Sequence, residues 1–146
     1  MSELQSELRR TSSHIYTVEL RFSGDMLEPS EITRRLNLQP TNSSENLSSS
    51  SLRGRKTRSF WAYNGYGGEG FQPEWASLDQ GLKFLLQRLS PLQATVVELS
   101  QTFDGIWWCG HFQASFDGGP ILSPTVLTEI ARYGLPLAID NYFSSN

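Results

Sequence analysis

Apolar and polar residues alternate in the first regular segment of the chain, residues 14–22, whose sequence is HIYTVELRF. Successive side chains of a β-strand point to opposite faces, so this alternation predicts a half-buried strand. The segment PLAIDNYF at 136–143 predicts the last strand. The first strand carries Tyr16, Val18, Leu20 and Phe22 on its apolar face and Ile15, Thr17, Glu19 and Arg21 on its polar face.

Three segments have the residue spacing of amphipathic helices. The clearest is 77–90, where leucines recur at intervals of three and four residues after a capping box. Segments 29–37 and 124–134 each begin with proline, which is tolerated at the first helical position because its missing N–H has no partner there. Asn37 and Gly134 are expected to end these helices in a left-handed conformation.

The segment around the only cysteine predicts a β-hairpin. Residues 94–103 and 106–116 read as two strands, and Asp104 and Gly105 lie between them. An Asp-Gly pair between two such segments is typical of a two-residue type I′ turn.

The pairing of this hairpin follows from its turn, because residue sums stay constant along the ladder. Glu98 is then expected opposite His111, and Ser100 opposite Cys109. Trp107 falls on the same face as these residues, which we expect to point away from the helices.

Together these segments predict an α+β fold, in which a mixed five-stranded sheet has about three helices on one face. The order is β-α-β-α-β-β-α-β, with the aromatic segment 57–65 as the remaining strand. Residues 24–33 and 118–128 share a glycine, a leucine and a proline at similar offsets. This similarity favours two duplicated β-α-β units, and chance similarity of proline-headed helices is the alternative.

Length and composition indicate one globular domain. The chain has 146 residues, of which 38% are hydrophobic and 18% charged. No stretch approaches the roughly 18 apolar residues of a membrane helix. We expect a flexible N-terminal tail at 1–13, a single domain at 14–143 and a Ser-rich loop at 42–52. The tail has no apolar core of a signal peptide, so a cytoplasmic location and no membrane partner are expected.

The charge balance argues against a general nucleic-acid partner. The formal net charge is −3, whereas proteins that bind the phosphate backbone carry a basic surface. The basic run 53–58 lies beside Phe60 and Trp61. Positive charge next to aromatic rings is a composition that could bind single-stranded nucleic acid, through attraction to its phosphates and stacking on its bases. A solvated loop is the simpler interpretation of that run, because the chain as a whole is acidic.

The predicted hairpin also brings together a thiol, an imidazole and a carboxylate. Cys109, His111 and Glu98 have the outline of a nucleophile, a base and an orienting group. Alternate residues of a strand lie about 6.6–7 Å apart, and no helix N-terminus adjoins them to supply an oxyanion site. We therefore expect an ordinary cross-strand Glu98–His111 pair. The good soft or borderline metal ligands are His14, His111 and Cys109, and no C-x-x-C or H-x-x-x-H spacing is present, so we expect no cofactor and no metal.

Several longer motifs resemble a known family. They are FSGDMLEPSEITRRLNLQPT, an Arg-flanked Phe-Trp pair, a Leu-rich helix ending in LSP, and LSPTVLTEIARYGLPLAIDNY. This pattern resembles the bacterial domain-of-unknown-function family numbered 4279, over about residues 14–143. The resemblance implies a small α+β domain without assigned catalytic residues. By analogy with small bacterial domains that act as immunity proteins, it suggests a toxin as one candidate partner.

We therefore predict a non-catalytic protein-interaction module that binds through the open face of its sheet. The expected partner is another protein, for example a toxin or a second copy of the chain. The alternative is a small-ligand-binding domain or a cysteine-dependent enzyme that uses Cys109 and His111. The residues predicted to contact the partner are Glu19, Arg21, Glu98, Trp107, His111, Asp140 and Tyr142.

Overall fold

A computed structural model describes residues 13–45 and 58–144, which form a β-sheet covered by helices on one face. The strands of this part of the chain are β1 (His14–Gly24), β2 (Asn42–Ser44), β3 (Ser59–Tyr63), β4 (Asp104–Gln113) and β5 (Leu137–Phe143). Its helices are α1 (Pro29–Leu36), α2 (Leu78–Leu89), α3 (Gln93–Ser100) and α4 (Pro124–Ala131). A short 3₁₀ turn, Ser90–Leu92, joins α2 to α3.

The sheet has the strand order β2-β3-β1-β4-β5. Neighbouring strands are antiparallel except β4 and β5, which are parallel. The predicted class, an α+β domain with a mixed five-stranded sheet, is confirmed. Residues 42–44 of the predicted Ser-rich loop form β2, and most of that loop lies outside the described residues. The predicted tail lies outside them as well, except for residue 13.

The strand predicted at 94–103 is wrong, because residues 93–100 form helix α3. Pro91 ends α2, but it occupies the first turn of the following 3₁₀ segment, where proline is tolerated, and the chain continues as a helix. Asp104 and Gly105 are the first residues of β4 rather than a turn. Gly105 is closely packed in the core, since an added Cβ would lie 2.8 Å from the Leu135 side chain and 2.9 Å from the Phe22 ring, and these side chains would have to shift.

The two proline-headed helices begin alike but join different strand arrangements. Pro29 and Pro124 both lie in the first turn of their helices. Helix α4 connects β4 to β5, its adjacent parallel neighbour, whereas α1 connects β1 to β2, with β3 lying between them. The shared glycine–proline pattern therefore marks a common helix start rather than a repeated sheet arrangement.

The hydrophobic core lies between the sheet and the helices. Leucines of α2 and the apolar face of β1 belong to one buried cluster, as the sequence pattern predicted. All four helices contribute buried residues to the core on one side of the sheet. Among the described residues no helix covers the other side, which we call the open face. The fully buried residues of this cluster include Leu20, Phe22, Trp61, Leu82, Leu85, Leu89, Trp107 and Cys109.

Asp79 ties the first turns of α2 and α4 together. Its carboxylate accepts a hydrogen bond from the Ser123 backbone N–H at 2.8 Å and lies 3.3 Å from Lys83 Nζ. Burial raises the pKa of this carboxyl, but the hydrogen bonds from Ser123 and Lys83 and the Lys83 charge lower it by more, so the pKa lies below its ordinary value.

Asp79→Ala is expected to reduce the free energy of unfolding by about 1.5–3 kcal/mol at pH 7, the usual contribution of a hydrogen bond to a charged group. A carboxyl with a lowered folded-state pKa stabilises the fold above its unfolded-state pKa, and this contribution is lost as the pH falls. Urea denaturation at pH 7 and pH 3 should therefore show a smaller difference between wild type and variant at pH 3. An equal difference at both values would contradict this role, and Ser77→Ala at the α2 cap is the control.

Candidate functional site

The open face of the sheet is built from alternate residues of its strands. Glu19 of β1 lies opposite Trp108 of β4, and Ile15 lies opposite Phe112. Tyr142 of β5 lies beside Phe112 in the next position of the same row. The open face carries Ile15, Thr17, Glu19, Arg21, Phe60, Ala62, Ile106, Trp108, Phe112, Ala138, Asp140 and Tyr142.

Trp107 and His111 lie on the helix-covered side, so their predicted placement on the open face is wrong. Trp107 lies opposite Leu20 and is fully buried, and His111 lies opposite Tyr16 and is almost fully buried. The prediction depended on the hairpin register, which the helix at 93–100 removes. Of the two adjacent tryptophans, Trp108 is therefore the outward-facing one.

Glu98 belongs to the helical layer and does not pair with His111. It lies on α3, and its carboxylate forms an ion pair with Arg35 of α1. The predicted Glu98–His111 contact is wrong for the same reason as the hairpin. Glu98 links two helices and has no part in the open face.

The other predicted residues, Glu19, Arg21, Asp140 and Tyr142, do lie on the open face. Arg21 Nε donates a hydrogen bond to Glu19 Oε2 at 2.7 Å. The guanidinium carbon of Arg21 lies 4.8 Å from the Trp108 ring centroid, within the range of a cation–π contact. A carboxylate, a guanidinium and an indole are thus stacked across β1 and β4.

Trp108, Phe112 and Tyr142 form a continuous aromatic surface, which we call the aromatic platform. Phe112 and Tyr142 stack with centroids 4.9 Å apart, and they are 41% and 45% exposed. Trp108 Nε1 donates a hydrogen bond to Asp140 Oδ2 at 2.8 Å.

Gly110 makes the platform continuous, because the neighbouring rings lean over it. A Cβ at this position would lie 3.0 Å from the Phe112 ring, 3.3 Å from the Trp108 ring and 2.6 Å from Thr17 Oγ1. A larger residue would therefore push the two rings apart. The glycines of β4 gave no sequence signal for the correct face, because Gly105 lies on the core face and Gly110 lies on the open face.

Both described histidines belong to a hydrogen-bonded chain at one end of the sheet. His14 Nδ1 lies 2.8 Å from His111 Nε2, and His111 Nδ1 lies 2.8 Å from Asn141 Oδ1. His14 Nε2 donates to the carbonyl oxygen of Asp117 at 2.6 Å. The His111 ring also stacks on Tyr16, with centroids 4.7 Å apart. This row of hydrogen-bonded side chains connects β1, β4 and β5, and neither Cys109 nor Glu98 belongs to it.

Cys109 is fully buried beneath the helices. Burial raises the pKa of its thiol to about 12, and the negative charge of Glu19 adds to the effect. The thiolate is the nucleophilic form, so this side chain is protonated and unreactive at neutral pH.

Two further features of the described chain bear on its chemistry. Within residues 13–45 and 58–144, no three His, Cys, Asp or Glu side chains are grouped closely enough to hold a metal ion. None of the helices in this part of the chain combines the length and apolar character needed to cross a bilayer.

The family comparison covers nearly the whole fold. Residues 14–144 match the family model described as a domain of unknown function, DUF4279. The chain belongs to the DUF4279 family. The match begins at the first residue of β1 and ends one residue after β5, so it spans every strand and helix of this DUF4279 structure. It also confirms the resemblance found in the sequence. No curated protein and no solved structure matches the chain.

Proposed function

We propose that this DUF4279 domain is a non-catalytic protein-interaction module that binds its partner through the aromatic platform. The observation that carries the proposal is the stacked pair of Phe112 and Tyr142, which are 41% and 45% exposed beside Trp108. Large aromatic side chains are enriched at the centres of protein interfaces, where they contribute much of the binding energy. On the open face they are held in place by neighbours within the sheet.

The charges around the platform favour a protein over a nucleic acid as the partner. Glu19 and Asp140 are acidic, and the guanidinium of Arg21 is already paired with Glu19. A phosphate backbone would be repelled by such a surface, and the chain has a net charge of −3. The proposed partner is a toxin or a second copy of the chain, and the proposed location is the bacterial cytoplasm.

The cysteine-dependent alternative has little physical support. A catalytic thiol needs a lowered pKa and access to its substrate. Cys109 is fully buried and its pKa is raised to about 12. His111 is engaged by His14 and Asn141 instead of the thiol.

The double variant Trp108→Ala/Tyr142→Ala is expected to weaken partner binding at least about 100-fold, because interface aromatics often contribute 2 kcal/mol or more each. Affinity capture would first identify a partner of the wild type, and titration of the purified proteins would then give the dissociation constants. Leu127→Ala is the matched control, because Leu127 is 51% exposed on α4, in the helical layer.

Both the double variant and the control should retain the wild-type circular dichroism spectrum. Unchanged binding by the double variant, together with weakened binding by Leu127→Ala, would place the interface on the helices and refute the proposal.

A further inference from the structure

The open face contains one complete cation site formed by its own residues. Arg21 Nε donates to Glu19 Oε2 at 2.7 Å, and the Arg21 guanidinium lies 4.8 Å from the centroid of the Trp108 ring. The planar guanidinium is suited to this arrangement, because it pairs with a carboxylate while stacking on an aromatic ring. The sheet thus holds a cation between an acidic and an aromatic side chain.

The adjacent corner of the face repeats the acidic and aromatic parts of this arrangement. Asp140 and Tyr142 alternate along β5, so their side chains leave the same face about 6.6–7 Å apart. Phe112 stacks on Tyr142, with the two ring planes only 14° apart. Asp140 Oδ2 accepts a hydrogen bond from Trp108 Nε1 at 2.8 Å, which holds the carboxylate beside the Trp108 indole.

Charge complementarity decides which chemistry fits this corner. Asp140 is exposed and forms no ion pair with another side chain of the described residues. The nearest cation on the face, Arg21, is paired with Glu19. A partner that covered the platform with an uncharged surface would bury the Asp140 carboxylate without a counter-charge, which is costly.

We propose that the corner formed by Asp140, Phe112 and Tyr142 holds an arginine side chain of the partner protein. The guanidinium stacks on the exposed aromatic surface of the Phe112–Tyr142 pair and donates hydrogen bonds to the Asp140 carboxylate. The inference rests on the proposed function, because it names the partner group that the platform recognises. It does not depend on which protein supplies the arginine.

An NMR titration of the ¹⁵N-labelled full chain tests this directly. The probe is N-acetyl-arginine methylamide, and N-acetyl-citrulline methylamide is its uncharged control of nearly the same shape. The arginine probe should cause saturable shifts of the Trp108 indole N–H and of the Asp140 and Tyr142 amides. The citrulline probe should bind more weakly, by up to about fivefold, as expected for loss of an exposed ion pair.

Asp140→Asn keeps the shape of the side chain and an acceptor for the Trp108 N–H but removes the charge. It is expected to weaken binding of the arginine probe about fivefold, while Glu129→Gln on α4 should leave it unchanged. Equal shifts with both probes, or unchanged arginine binding by Asp140→Asn, would overturn the proposal.

The captured partner separates this proposal from the broader one. Asp140→Asn should weaken partner binding at least about tenfold, because an interfacial charge pair loses one member. If Trp108→Ala/Tyr142→Ala abolishes partner binding and Asp140→Asn does not change it, the arginine site is wrong and the binding face stands. If neither variant weakens partner binding, the binding face itself is wrong.

Discussion

Trp107→Ala is expected to lower the free energy of unfolding by about 3–5 kcal/mol, the usual cost of deleting a large buried aromatic side chain. Trp107 is fully buried and packs edge-on against Tyr133, with ring centroids 5.1 Å apart. Its Nε1 has no hydrogen-bond partner within the described residues, so the whole loss comes from packing. A domain of this size is often only 5–15 kcal/mol stable, so the variant should be close to unfolding.

Trp108→Ala should have a smaller effect on stability, about 1 kcal/mol, near the average cost of a point substitution. Its indole is only partly buried, and its contacts include the Arg21 guanidinium and the Asp140 hydrogen bond, so less core packing is lost than at Trp107. Urea denaturation of both variants gives the comparison, and Trp107→Phe is the control that retains an aromatic ring in the core. If Trp108→Ala unfolds the protein and Trp107→Ala does not, β4 has the opposite orientation, as the hairpin prediction required.

Alkylation of Cys109 in the folded protein is expected to be about 1,000-fold slower than that of a free cysteine at pH 7.5. Burial raises its pKa from 9.0 to about 12, and the thiolate fraction falls tenfold for each unit. Limited access for the reagent would slow the reaction further. Iodoacetamide labelling followed by mass spectrometry, in buffer and in 8 M urea, measures the ratio.

The same raised pKa predicts how stability changes in alkaline solution. A thiol whose pKa is raised by folding contributes stability fully below its unfolded-state pKa and loses it as the pH rises through the folded-state value. For Cys109 this window lies between about 9 and 12. The stability of Cys109→Ala should therefore be less sensitive to pH in that range.

Equal alkylation rates in the folded and unfolded chains would contradict the raised pKa and the burial of Cys109, and would restore the cysteine-dependent hypothesis.

Much of the fold could be predicted because its signals are local. The alternation at 14–22 identifies β1, and the prolines at the starts of α1 and α4 mark their first turns. Helix α3 was missed because Thr95, Val96 and Val97 are β-branched and favour strands in isolation. Burial of Val96 and Leu99 three residues apart, on one helical face, outweighs that preference.

The residues of the open face could be predicted only in part, for a different physical reason. Strand β4, DGIWWCGHFQ, has aromatic residues on both faces, so its alternation cannot tell which face meets the helices. Pairing with β1 decides this, because Trp107 lies opposite Leu20 and Trp108 opposite Glu19. Pairing between distant strands depends on the whole fold, and the wrong turn at Asp104 reversed the assignment. Tyr142 does lie on the open face, because β5 pairs with β4 in parallel and places Tyr142 beside Phe112.

Hydroxyl-radical footprinting of the complex with the captured partner tests most directly whether the open sheet face is the interface. The account predicts severalfold less oxidation of Trp108, Phe112 and Tyr142 in the complex than in the free chain. Leu127 and Ile121, which are exposed outside the open face, should be oxidised equally in both. Protection of Leu127 with unchanged oxidation of the aromatic platform would contradict the account.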